Sequence, residues 1–144
     1  MWIYKDKEYN EIHNDNIYGF IYKITFKSGK YYIGKKNFFF YKTLPILKNK
    51  DKRKGHIEFF YRIIDHKRKY YELIKKESDW FSYTGSIKKN ILEPVVRKEI
   101  LEFAYSKRHL TYLETKYLFL NNVLEDDNAI NENILGKFYK GNLI

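Results

Sequence analysis

The stretch YGFIYKITFKSGKYYIGKK, residues 18–36, decides the fold. Its first half, 18–26, is crowded with β-branched and aromatic side chains, which is strand chemistry. Lys27-Ser28-Gly29-Lys30 interrupts the run, and Gly29 supplies the positive φ that a tight hairpin turn needs. Tyr31, Tyr32 and Ile33 then resume the strand pattern before Gly34, Lys35 and Lys36. The segment predicts an antiparallel hairpin whose two strands carry Tyr22 and Tyr32 ten residues apart.

On the N-terminal side, residues 1–16 are mixed and polar and read as an extension with one short strand around Trp2-Ile3-Tyr4. On the C-terminal side, residues 42–56 read as a loop. Pro45 disfavours regular structure there, and Lys48, Lys50, Lys52, Arg53 and Lys54 crowd around the single acid Asp51. Self-repulsion keeps such a cluster solvated, either as a bland mobile loop or as an arm that grips phosphates; the overall charge favours the arm. Residues 58–77 place apolar pairs at Phe59/Phe60, Ile63/Ile64 and Tyr70/Tyr71, then Ile74. Spacings of three, four and seven predict an amphipathic helix with Lys67, Lys69, Lys75 and Lys76 off its core face. Ser78 and Asp79 are positioned to cap a short helix through Trp80 and Tyr83. The stretch 95–104 leaves two readings open, since Pro94 suits a helix start while the Val and Ile content suits a strand. Residues 109–122 predict a helix with Leu110, Leu113, Tyr117 and Leu120 as its stripe. Glu114 stands at the edge of that stripe, where a carboxylate is partly desolvated and needs a cation, donors or a metal; the plain alternative is a snorkelling surface Glu. The tail, 125–144, is polar and reads as loop and short strand.

The 144 residues fit one domain able to bury roughly two-thirds of its unfolded surface. The absence of cysteine excludes a disulfide framework, a thiolate zinc site and a cysteine nucleophile. Apolar runs such as Phe38-Phe39-Phe40 are far too short for a membrane span, and Met1 to Lys7 lacks the apolar core of a signal peptide. The expectation is a cytoplasmic protein with no membrane partner, in a host cell if the chain is phage-encoded. Twenty-eight Lys and Arg against eighteen Asp and Glu leave a net charge of +10. Such an excess attracts polyanions, nucleic acid above all, unless it merely reflects a Lys-rich genome. Aromatics at 19% must mostly fill the core.

Most catalytic templates fail: there is no HExxH, no nucleophile elbow, no Walker A and no glycine fingerprint. The histidines at 13, 56, 66 and 109 lack ligand spacing. What remains is the hairpin. GFIYKIT (19–25) followed by KYYIGKK (30–36) resembles the paired motif that names the GIY-YIG nuclease family. The second half is literal at Tyr32-Ile33-Gly34, and in the first the glycine stands one residue further upstream. ESDWFSYTGS (77–86), LTYLETK (110–116) and VLEDDNAIN (123–131) resemble segments of small phage-borne, homing-type members.

The resemblance implies an α+β fold with a small central antiparallel or mixed three-stranded sheet flanked by helices, 95–104 being the third strand. It divides the chain into an N-terminal extension (1–17), a nuclease domain (18–131) with a basic, helical insertion at about 37–76, and a tail (132–144). It implies catalytic roles for Tyr22, Tyr32, Lys35, Glu114 and Asn131, with Glu114 holding one Mg²⁺ or Mn²⁺ ion. Lys36, Lys42, Lys48, Lys50, Lys52, Arg53 and Lys54 are the expected DNA contacts. One departure matters: Lys42 stands where the family usually has an arginine, and Arg53, Arg62 or Arg68 are the other candidates for its role.

Phosphodiester hydrolysis needs a nucleophilic water, neutralisation of charge growing on the phosphoryl oxygens, and help for the leaving alkoxide. One hard cation on one carboxylate, with phosphate and water completing its shell, is how Mg²⁺ usually binds. Tyr22 would take the proton from water, provided nearby cations such as Lys35 favour its phenolate, while Tyr32 positions the water or contacts phosphate. The competing reading for both tyrosines is plain core packing. The sequence thus points to a metal-dependent DNA endonuclease of the free-standing homing type. Its rivals are a restriction or repair nuclease of the same fold, and a basic nucleic-acid-binding module that has lost catalysis.

Overall fold

The computed structural model describes residues 1–43, 59–85 and 93–143, with the backbone alone described at 59–62 and 68–73. The elements in chain order are β1 (Trp2–Tyr4), β2 (Lys7–Tyr9), β3 (Gly19–Phe26), β4 (Tyr31–Asn37), β5 (Phe39–Thr43), β6 (Phe59–Ile64), β7 (Lys67–Glu77), β8 (Val95–Ala104), α1 (Lys107–Leu120), β9 (Asn133–Ile134) and β10 (Phe138–Tyr139). They fall into two compact units, one of Met1–Phe38 with Asp79–Ile144, the other of Phe39–Ser78.

The first unit is built on a five-stranded mixed sheet in the order β2-β1-β8-β3-β4. The expected hairpin is there: β3 and β4 pair antiparallel, with Tyr22 opposite Gly34 and Ile24 opposite Tyr32. Gly29 makes the turn at φ 90°. The ambiguous stretch 95–104 is strand β8, antiparallel to β3 and parallel to β1. Its β-branched residues and its place between two strands override the helix start that Pro94 allowed.

Two expectations are corrected. The sheet has five strands rather than three, because residues 1–9 are part of it: β1 and β2 form a hairpin across Lys5 and Asp6, and Trp2 is wholly buried. Among the described residues a single helix, α1, covers the sheet, rather than several. Ser106 caps α1, its side chain accepting from the His109 N–H at 3.0 Å. No helix among the described residues is long and apolar enough to cross a membrane.

Side chains alternate across a strand, so the sheet has two unlike faces. Ile21, Tyr31 and Ile33 point toward α1 and pack with Leu110, Leu113, Leu118, Val123 and Ile134. Phe20 and Tyr22 point the other way and meet Trp2, Phe38, Trp80 and Tyr83. β4 is an edge strand, and residues 128–131 cover it. The Tyr31 N–H donates to the Asn128 carbonyl at 2.9 Å, and the Ile130 N–H to the Tyr31 carbonyl at 2.8 Å. The tail contributes the short pair β9-β10, with Ile134 in the core.

The second unit is a three-stranded sheet, β5-β7-β6. The helix expected over 58–77 is instead the hairpin β6-β7. Asp65 and His66 link Ile64 to Lys67 with φ of 51° and 62°, as a two-residue primed turn requires. Paired apolar residues three and four apart satisfy helical spacing, but Phe59, Phe60, Tyr61, Ile63, Ile64, Tyr70 and Tyr71 are residue types that favour a pleated surface. The cluster at 48–54 lies outside the described residues. The short helix expected from Ser78 is a turn, in which the Tyr83 N–H donates to the Trp80 carbonyl at 3.3 Å.

Candidate active site

The β3-β4 register sorts the expected site residues onto both faces of the edge strand. Tyr22, Tyr32, Gly34 and Lys36 share the aromatic face, while Lys35, opposite Ile21, goes with α1. Gly34 is required by what lies over it. A Cβ there would fall 2.7 Å from Tyr22 Cζ and 2.9 Å from Tyr32 Cε1, closer than carbon atoms approach. The missing side chain lets the Tyr22 phenol lie across the edge strand. Gly19 serves the opposite face, where a Cβ would stand 3.1 Å from Leu110 Cδ2 and hold α1 off the sheet.

On the helix side, the Lys35 ammonium donates to Thr111 Oγ1 at 3.2 Å and lies 3.6 Å from Glu114 Oε1. The Glu114 side chain is 21% exposed. Burial raises its pKa above the ordinary carboxylate range, and Lys35 opposes that rise. On the aromatic side, Tyr22 is 1% exposed. Burial pushes its phenol far above the usual value. The neighbouring Tyr83 and Tyr32, a hydrogen bond to Tyr83 and the charge of Glu114 add to the rise. Tyr32 is half-buried and is also raised, by burial first and then by Glu114 and Tyr83. The carboxylate therefore acts on both phenols: Tyr22, Tyr32, Lys35 and Glu114 meet around the edge strand at Gly34.

Asn131 is buried beside the same strand, with a different use. Its Oδ1 accepts from the Ile33 N–H at 3.1 Å, and its Nδ2 donates to the Ile33 carbonyl at 2.7 Å. The amide thus imitates a neighbouring strand and satisfies the edge of β4. Lys36 forms an ion pair with Asp79 at 2.5 Å and lies 4.0 Å over the Tyr83 ring. Lys42 is on β5 in the other unit, opposite Ile74. Lys48, Lys50, Lys52, Arg53 and Lys54 lie outside the described residues, and Arg62 and Arg68 are described by backbone alone.

Sequence reasoning missed Tyr83, Trp2 and Lys98. Lys98 is buried, lies 4.3 Å over the Trp2 ring, and donates to the Phe81 carbonyl at 3.2 Å. Burial lowers its pKa. Only the aromatic density of 80–83 hinted at this cluster, since its contacts join residues some eighty positions apart, as in the bond from Trp2 Nε1 to the Trp80 carbonyl at 2.7 Å.

No three His, Cys, Asp or Glu among the described residues come together as a metal cage. One partly desolvated carboxylate suits a hard cation that keeps most of its shell as water and phosphate oxygen, the habit of Mg²⁺. The residues present fit such an ion.

The chain matches, over residues 2–143, the family described as "Putative endonuclease segE, GIY-YIG domain". No curated protein and no solved structure matches it.

Proposed function

From the premise that the chain belongs to the SegE-type GIY-YIG endonuclease-domain family, we propose a free-standing, homing-type DNA endonuclease that works with one Mg²⁺ ion. The observation that carries the reading is the half-buried Glu114 carboxylate, paired with Lys35 and acting electrically on two phenols around one edge strand.

Glu114 would hold the ion. When bound, such an ion neutralises charge on the phosphoryl group and stabilises the leaving oxygen. The chain's own residues do the rest. Lys35, with its side chain 38% exposed, is free enough to turn its ammonium onto the scissile phosphate. Tyr32 is the more accessible phenol and touches substrate as a hydrogen-bond donor. Tyr22 is held protonated by burial, which argues against its serving as the base and for its orienting the site from beneath. Asn131 is a positioning residue that fixes β4 through Ile33. The net charge of +10 draws DNA in by its phosphates, so affinity should fall steeply with salt.

The decisive experiment is cleavage of duplex DNA with and without EDTA. Glu114→Gln should keep duplex binding and lose at least about a thousandfold in cutting rate, the several kcal/mol that ion placement supplies. Unchanged cutting would remove Glu114 from the mechanism. The second reading, a binding module without catalysis, is favoured by Lys42 at the family's arginine position. Binding without cleavage in either Mg²⁺ or Mn²⁺ would establish it.

A further inference from the structure

The turn at 79–83 is pinned to the first unit at three points. Trp2 Nε1 donates to the Trp80 carbonyl at 2.7 Å. The buried Lys98 ammonium donates to the Phe81 carbonyl at 3.2 Å. Lys36 pairs with Asp79 at 2.5 Å. Trp2 and Lys98 also brace each other, the ammonium lying 4.3 Å over the indole. A buried lysine facing a carbonyl and a ring, in place of a carboxylate, is an expensive way to hold a turn, so what the turn presents needs an explanation.

It presents Tyr83. That ring meets Tyr22 edge-on, with centroids 5.8 Å apart and planes at 79°. Its other neighbour is the Lys36 ammonium, 4.0 Å from the centroid. The hydrogen bond between the two tyrosines favours the protonated form of Tyr22, so Tyr22 donates and the Tyr83 oxygen accepts. The Tyr22 hydroxyl has to be aimed, because the same phenol lies across Gly34 at the point where the site crosses the edge strand.

We propose that Tyr83 is a positioning residue of the nuclease site, its oxygen aiming the Tyr22 hydroxyl while Trp2, Lys98 and Lys36 clamp the turn that carries it. The catalytic part of this inference rests on the endonuclease reading above; the hydrogen bond itself does not. N-terminal strand β1 thereby becomes part of the catalytic scaffold.

Two variants of the full chain test the proposal. Tyr83→Phe keeps the ring, its edge-on packing and its cation partner, and deletes only the acceptor. With ¹³Cζ-labelled tyrosine at neutral pH, assigned by Tyr22→Phe, the Tyr22 resonance should shift and its hydroxyl proton should exchange faster. Cutting should fall by about ten- to a hundredfold in kcat with little change in KM, the scale of a misaimed group. Lys98→Met keeps the stem and removes the clamp donor, and should move the same Tyr22 signals in the same direction by less. A role in folding alone would lower the melting temperature and leave the Tyr22 signals and kcat per folded molecule where they were. That result overturns the proposal. If the unaltered chain cuts nothing in Mg²⁺ or Mn²⁺, the endonuclease reading fails while the Tyr22 signals still decide the hydrogen bond.

Discussion

The two faces of the five-stranded sheet are packed by different means. Toward α1 the core is largely aliphatic, with Ile21, Ile33, Leu110, Leu113, Leu118 and Val123. Such side chains have no polar atoms to satisfy, and burial alone rewards them. The other face is almost entirely rings: Trp2 to Phe20 at 5.0 Å, Phe20 to Phe38 at 4.8 Å, Phe38 to Trp80 at 5.0 Å. Rings in tilted and edge-on contact are stiff, and a Tyr or Trp among them carries a polar tip that must be placed. The aliphatic face therefore supplies stability without direction, and the aromatic face supplies direction. The site lies where the two meet, at Gly34, with phenols from one side and the Lys35–Glu114 pair from the other.

The largest effect that tests this division is on the aliphatic side. Leu118→Ala should cost about 2–5 kcal/mol of stability, as large-to-small core changes do, read as a lower urea midpoint. Cutting by the protein that remains folded should be unchanged. A fall in kcat there would mean that the faces are not separable. Gly34→Ala is the converse. Its new Cβ meets the Tyr22 ring rather than a flexible tip, so we expect about 1–3 kcal/mol of strain together with a loss of cutting out of proportion to it. A variant that cuts normally would show the phenol free to step aside. Asn131→Ala leaves the Ile33 N–H and carbonyl unpaired at a buried edge, at about 1–3 kcal/mol. Hydrogen exchange at the Ile33 amide should report that loss, with smaller changes at β8.

How much of this could be read in the sequence follows from the range of the interactions. The β3-β4 hairpin was legible because its turn contains a glycine and its strands are unbroken runs of strand-forming residues. Glu114 was legible because helical spacing puts it at the edge of a stripe over a core. The hairpin of 59–77 was misread because its turn uses Asp65 and His66, both at positive φ, in place of the glycine that marks a primed turn. The same disguise, Lys5 and Asp6, hid the β1-β2 hairpin. Tyr83 and Lys98 were invisible for another reason: their partners are set by how strands stack, which no local pattern records. Asn131 was singled out by resemblance, and its place at the edge strand shows what its amide does there.

The smallest expected effect concerns pH, and it divides the two roles of one residue. Burial raises the Glu114 pKa in the folded chain above the ordinary glutamate value of about 4.3, while Lys35 holds it down. A carboxyl whose folded pKa is raised favours folding below its unfolded pKa, and loses that contribution as the pH rises through the folded one. Cutting has the opposite sign, because it needs the charged carboxylate. Acidification through the Glu114 pKa should thus stop cleavage while this residue tightens the fold, and the acid limb of kcat/KM should lie above that of an exposed glutamate. Lys35→Met removes the opposing cation and should move that limb upward by ~0.5 pH unit, a small shift because the ammonium is partly in water. A limb that stays put, or moves down, would mean that the Lys35–Glu114 pair does not govern the ionisation on which cutting depends, and that the carboxylate answers instead to the phenols of the aromatic face.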